Sequence, residues 1–274
     1  INRFSKLDSL GDVYINEELK GYLVPLVQRN ASKSLVTIAR GSRIPLEKAE
    51  AVRMFLWWKQ NEGDTVDVDL SAVLYNSDWK YIDHLSYTNS STEGGKHSGD
   101  IQSAPRGASE FIDIKVDTMR AAGVRYVVMN VISFSGQPFD TFECFAGIMN
   151  RDNVSSGKKY EPTTVTNKFD LGGDTRYNIP LIFDLETNQM TWADVSLTSG
   201  RWQNIEGSSD DIVTMSKAIQ SMADDKPNLF DLLWLHAITR GETVAHERQE
   251  GKEYDTVFDV DMATKTDEIL AKWL

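Results

Sequence analysis

Between about residues 50 and 200 the chain repeatedly changes face at every second residue, and that periodicity restricts it to strands. Val66, Val68, Leu70 and Ala72 alternate with Asp67, Asp69 and Ser71. Ile112, Ile114 and Val116 alternate with Asp113, Lys115 and Asp117. Successive side chains of a strand point to opposite sides, whereas a helix would scatter these apolar residues around its circumference. Residues 126–132 form an apolar run broken only by Asn130, as expected of a strand covered on both faces. The aromatic run 55–59 and the stretches 143–149, 177–185 and 190–197 continue the series. Turn residues separate them, at 89–95, Gly123, 136–138, Gly172-Gly173 and Thr187-Asn188. Many short strands at such spacing predict a mainly β fold, a sandwich of two sheets.

The ends read differently. Residues 1–45 are mixed and form an N-terminal extension, the end of an upstream region, with Gly41-Ser42-Arg43-Ile44-Pro45 as a linker. The start, Ile1-Asn2-Arg3-Phe4, lacks both an initiator Met and a signal-peptide pattern and reads as a fragment or a processed start. Residues 46–200 are the sandwich. Residues 201–274 are a helical C-terminal segment expected to pack on it. There Ile212, Met215, Ile219 and Met222 recur at helical spacing, and Pro227 and Gly241 frame a helix over 229–239. Residues 256–260 suit one more strand, and Thr266 or Asp267 is placed to cap a last helix running to Leu274.

Hydrophobic residues make up 41% of the chain, enough for a sizeable core, and the net charge is -12. Such a surface repels phosphate backbones, which disfavours nucleic acid as a partner. No apolar run approaches the roughly 20 residues that cross a bilayer. The single cysteine, Cys144, excludes a disulfide framework and a Cys-rich zinc module, which fits a cytoplasmic protein. Cys144 sits in a strand-like run beside Glu143 and reads as a buried small hydrophobe. The four histidines show no ligand spacing: His246-Glu247-Arg248-Gln249-Glu250 has Glu where a zincin needs its second His, and His236 reads as a hydrogen-bonded core residue. Asp184 and Glu186 read as a solvated face, and Trp79 and Trp202 sit in polar surroundings that suit an exposed contact. No nucleophile elbow or phosphate loop occurs, so no enzyme activity is expected.

Two segments carry oxygen-donor chemistry. On a strand, Asp67 and Asp69 project to one side roughly 7 Å apart and repel each other unless water or a cation intervenes. In Lys96-His97-Ser98-Gly99-Asp100, a Gly-Asp turn brings a carbonyl and a carboxylate together. An EF-hand starting at Asp67 fails, because Ala72 stands where its glycine is required and Asp78 where its bidentate Glu is required.

Taken in order, Val66-Asp67-Val68-Asp69-Leu70-Ser71-Ala72, then Tyr87-Thr88-Asn89, then His97-Ser98-Gly99-Asp100, then Glu110-Phe111-Ile112-Asp113-Ile114 resemble the TerD family. That family has an acidic D-x-D strand, a Y-N-N-like segment and an H-T-G-D-N turn in this order. The resemblance covers residues 50–150 well and 170–200 loosely. It implies a TerD-like β-sandwich that binds calcium and takes part in tellurite resistance, stress response or phage defence through protein partners, without catalysis. By matching position it implies Asp67, Asp69, Asn89, Gly99 through its carbonyl, Asp100 and Glu110 as ligands. The family turn continues into an acidic loop, but here residues 101–109 hold no carboxylate and carry Arg106, and Ile101 replaces the family's Asn. One calcium site rather than two is therefore expected. The alternatives are a calcium-braced carbohydrate-binding module, marked by an aromatic platform beside the acidic turn, and a hydrolase, marked by a cleft with two carboxylates of split pKa.

Overall fold

The computed structural model describes residues 4–26, 38–46, 49–151, 165–197 and 209–274. Its strands are β1 (Gly11–Ile15), β2 (Arg43–Pro45), β3 (Ala51–Lys59), β4 (Val68–Tyr75), β5 (Tyr81–Leu85), β6 (Ser91–Thr92), β7 (Gly95–His97), β8 (Ala108–Ile114), β9 (Tyr126–Ser133), β10 (Glu143–Arg151), β11 (Val165–Asp170), β12 (Tyr177–Asp184), β13 (Gln189–Leu197), β14 (Gly241–Ala245) and β15 (Thr256–Phe258). Its α-helices are α1 (Val116–Ala121), α2 (Ser209–Asp225), α3 (Leu229–Arg240) and the single turn α4 (Thr266–Glu268). None of the described helices is long and apolar enough to cross a membrane. The chain divides into two compact units, one containing Pro45–Ile219 and the other Ile1–Gln28, Val36–Ile44 and Gln220–Leu274.

The larger unit is a β-sandwich. One sheet runs β11-β10-β3-β8-β7-β6 and the other β13-β12-β9-β4-β5, with antiparallel neighbours. Met54, Leu56 and Trp58 of β3 alternate with Phe55, and the register sets them beside Ile112 of β8 and Ile148 of β10 on one buried face. Phe55, Phe111 and Met149 make a second buried cluster on the opposite face of the same sheet. Side chains tie the two sheets together: Trp58 Nε1 donates to the Val66 carbonyl at 2.9 Å, and Glu110 of β8 accepts from Leu70 of β4.

β9 is buried along its whole length, as the apolar run predicts. The polar break at Asn130 is satisfied inside the protein: Asn130 Nδ2 donates to the Val128 carbonyl, and Asn130 Oδ1 accepts from the Tyr177 hydroxyl at 2.7 Å. β4 departs from the sequence reading. Alternation predicts one wet face, but every residue of β4 is buried, because β9 and β5 flank it and both of its faces are covered. The alternation over 112–117 also ends early: the strand stops at Ile114 and Val116 opens α1. In this unit Ile212, Ser216 and Ile219 line the buried stripe of α2.

In the smaller unit the two ends of the chain fold together. β1 lies between β14 and β15 and is parallel to both, so Gly11–Ile15 of the mixed extension is a central strand. α3 forms as framed: the Asn228 side chain accepts from Asp231 N at 2.8 Å, and Gly241 closes the C-terminus. His236 is buried on α3, donating from Nε2 to the Trp273 carbonyl and packing on the rings of Phe4 and Trp273. The last helix has Lys265 at its N-cap, with no side-chain cap, in place of the expected Thr266 or Asp267. It widens to a π turn over Ile269–Trp273.

Candidate metal centre

The larger unit gathers Asp67, Asp69 and Asp100 at the start of β4. One carboxylate oxygen from each lies within 4.8 Å of the others. Asp67 is fixed from β9's end: its N–H donates to Ser135 Oγ at 2.9 Å, and its carbonyl accepts from Phe134 N at 2.9 Å. Asp69 follows two residues later on the same side of the strand, paired across β4 with Ile132. Asp100 comes from the turn after β7, where Gly99 takes φ +108, a conformation that glycine adopts without a Cβ clash.

Asp69 is 7% exposed. Among the described residues, Asp67 Oδ1 is buried without a hydrogen-bond partner. Asp100 is exposed, and its Oδ2 accepts from Gln102 Nε2 at 2.9 Å. Burial first, then the charges of Asp67, Glu110 and Asp100, push Asp69 up to about 8. Burial, then Asp100 and Glu110, push Asp67 up to about 6. The site thus disfavours ionisation of Asp67 and Asp69, and a divalent cation would reverse that preference.

The other residues implied by the motif order are placed differently. Glu110 is fully buried beneath the cluster, and both its oxygens are engaged: Oε2 accepts from Leu70 N at 2.9 Å and Oε1 from Ile101 N at 3.0 Å. Asn89 is anchored to β5, where Nδ2 donates to Asp83 Oδ1 at 3.0 Å and to the His84 carbonyl at 2.8 Å; no hydrogen bond joins it to the three aspartates. His97, which the sequence presents as a turn residue, is buried: Nδ1 accepts from Gly99 N at 3.1 Å and Nε2 donates to the Leu70 carbonyl at 2.9 Å. Its place in the His-Ser-Gly-Asp run was the one sequence signal of that role. Ser135 had none.

The remaining candidate groups have structural partners. Asp184 and Glu186 both pair with Arg125, at 3.1 and 2.8 Å. The Cys144 thiol is buried, and burial, then Asp170, raises its pKa. Trp79 is half-buried and stacks on Tyr126 with ring centroids 4.0 Å apart; Trp202 lies outside the described residues. His246 packs against the rings of Trp234 and Phe230. Tyr87 and Phe134 are exposed, with rings 6.4 Å apart at 74°, an edge-to-face arrangement.

No protein-family model matches the chain, and no curated protein does. Among solved structures the chain is similar to a protein of unknown function, SAV2460, at 13% identity, covering 60% of this chain and 96% of that one with a TM-score of 0.45. It is also similar to a homologue of telluride resistance protein (TerD), SCO6318 from Streptomyces coelicolor A3(2), at 11% identity, covering 56% and 94% with a TM-score of 0.43. Likeness at that level lends no residue a role.

Proposed function

We propose that this chain is a non-enzymatic, TerD-like, Ca2+-binding protein of the cytoplasm that acts through protein partners in tellurite resistance, stress response or phage defence. The observation that carries the cation site is Asp69, a carboxylate more than nine-tenths buried, set beside Asp100 and beside Asp67, whose Oδ1 is buried without a hydrogen-bond partner among the described residues. A carboxylate so placed costs free energy until something neutralises it. A hard divalent cation does so directly, and its oxygen ligands are of the type present. Ca2+ holds its oxygens at about 2.3–2.6 Å, so its shell spans about 5 Å, which accommodates carboxylate oxygens within 4.8 Å of one another. Asp67, Asp69 and Asp100 would hold the ion, with waters and backbone carbonyls completing the six to eight oxygens that calcium takes. The role in a stress system rests on the order of the motifs at 66–72 and 97–100, and a braced rim of this kind suits docking to a partner better than turnover.

Among the described residues, the exposed rings of Tyr87 and Phe134 meet edge to face. A sugar ring stacks on a flat platform, so the carbohydrate-binding alternative gains nothing from them. The test is isothermal titration of chelator-stripped protein with CaCl2, comparing wild type with Asp67→Ala/Asp100→Ala. Heat of binding in the wild type and none in the double variant is expected. Absence of heat in the wild type, or equal heat in both, would overturn the cation site.

A further inference from the structure

Two buried side chains, His97 and Glu110, bind the backbone on either side of the acidic cluster, and neither is a surface carboxylate free to take an ion. Between them they bind both backbone polar groups of Leu70: Glu110 Oε2 accepts its N–H and His97 Nε2 donates to its carbonyl. Residue 70 directly follows Asp69. They also hold both peptide N–H groups that flank Asp100: Gly99 N donates to His97 Nδ1 and Ile101 N to Glu110 Oε1. The two side chains approach each other, with His97 Nε2 3.6 Å from Glu110 Oε2. Because Nδ1 accepts a hydrogen bond, the ring proton sits on Nε2, the atom that faces the Leu70 carbonyl.

We infer that His97 and Glu110 are positioning residues that lock the turn bearing Asp100 against the strand bearing Asp69, presetting the spacing of a cation site they do not ligate. The inference rests on the cation-site reading above. Its physical basis is that Asp100 lies on an exposed turn that would otherwise relax outward and lose the spacing from Asp69 that a cation needs. Four hydrogen bonds in a buried setting, two of them to a carboxylate, oppose that relaxation. Groups behind a metal ligand commonly change metal affinity by about 10–100-fold when altered. Sequence position alone made Glu110 a ligand; the geometry makes it a strut.

The test uses the full chain. Glu110→Gln keeps the size of the side chain but sets an amide NH2 against a peptide N–H, breaking one arm. His97→Asn keeps an acceptor for Gly99 N and loses the bond to the Leu70 carbonyl; His97→Gln does the reverse. Each is expected to weaken Ca2+ binding about tenfold or more, with unchanged stoichiometry. Two readouts separate positioning from general damage. In the Asp100→Asn background, Glu110→Gln should weaken binding by no more than about twofold, because it acts through Asp100; a full independent loss there would overturn the inference. Amide hydrogen exchange on the ion-free protein should show Leu70, Gly99 and Ile101 protected in the wild type and either Leu70 or Ile101, whichever faces the amide NH2, released in Glu110→Gln. Exchange unchanged at both Leu70 and Ile101 would overturn the clamp, whatever the ion does. A wild type that keeps this protection yet takes up no Ca2+ would instead sink the cation-site reading. Should Glu110→Gln fail to fold, His97→Gln carries the same comparisons, with release read at the Gly99 amide.

Discussion

Asp69→Asn should stabilise the ion-free protein near neutral pH and leave it no more stable in acid. Folded Asp69 keeps its proton to about 8, whereas an ordinary carboxylate loses it at 3.8. Between those values the folded state binds more protons than the unfolded one, so stability falls as pH rises, by about 1.4 kcal/mol per pH unit. The deficit is absent below 3.8, slight at pH 4.5 and nearly complete at pH 7.5. Integrated between those two conditions it reaches a ceiling of roughly 4 kcal/mol. Opening of the exposed turn at Asp100 relieves part of it, so a swing of about 2–4 kcal/mol is expected. The buried amide introduced by Asn costs about 1–3 kcal/mol through its unpaired groups, but that cost is the same at both pH values and cancels in the difference. Urea unfolding in the presence of chelator, at pH 4.5 and 7.5, for wild type and Asp69→Asn, gives the four free energies required. The gap between variant and wild type should move in the variant's favour as pH rises. A gap that stays constant to within about 0.5 kcal/mol would refute the electrostatic account of the cluster. Saturating Ca2+ should invert the ranking at pH 7.5, since ion at a hundredfold excess over Kd adds about 2.7 kcal/mol to a protein that binds it.

Three further substitutions test the framework around the site. Tyr177→Phe removes the donor to Asn130 Oδ1 inside β9 and should cost about 1–3 kcal/mol in urea unfolding; an unchanged midpoint would show that the bond adds nothing. Asn228→Ala removes the N-cap of α3 and should cost about 1 kcal/mol, read from the thermal transition together with loss of helical ellipticity. Gly107→Ala places a Cβ 2.8 Å from the Trp57 ring at φ +87, and should cost about 1–3 kcal/mol with a shift in tryptophan emission.

The strands of the sandwich were legible because their signal is local. The unbroken run at 126–132 became a fully buried β9, and the run at 55–59 became the end of β3. α3 was legible for the same reason, with its cap residues adjacent to its apolar stripe. The β14-β1-β15 sheet was not, because Gly11 and Gly241 pair across most of the chain and nothing in five residues announces a parallel partner so distant. Alternation placed Asp67 and Asp69 on one side but could not say what covers that side, and cover is what raises Asp69 to about 8. Motif order brought Asp100 to the correct neighbourhood. It also named Asn89 and Glu110, because residue type reveals that an oxygen can donate to a metal and not that peptide N–H groups already occupy it, as they do at Glu110.

The same occupancy predicts how many ions the chain takes. Once ionised around a cation, Asp67, Asp69 and Asp100 together bring a formal charge of about -3, which one divalent ion largely offsets. A second ion would need its own carboxylates. Glu110 is held by Leu70 and Ile101, Asn89 is tied to Asp83, and residues 101–109 supply no acid and contribute Arg106. Without those donors a second Ca2+ would sit close to the first with little between them to screen their repulsion. Native mass spectrometry of the chelator-stripped chain titrated with Ca2+ should therefore saturate at one bound ion, and calorimetry should give a stoichiometry near one. Two ions of comparable affinity would refute the argument. For that to happen Glu110 would have to let go of its peptide partners, so faster exchange of the Leu70 and Ile101 amides on adding Ca2+ would accompany the second ion, whereas slower exchange accompanies the first.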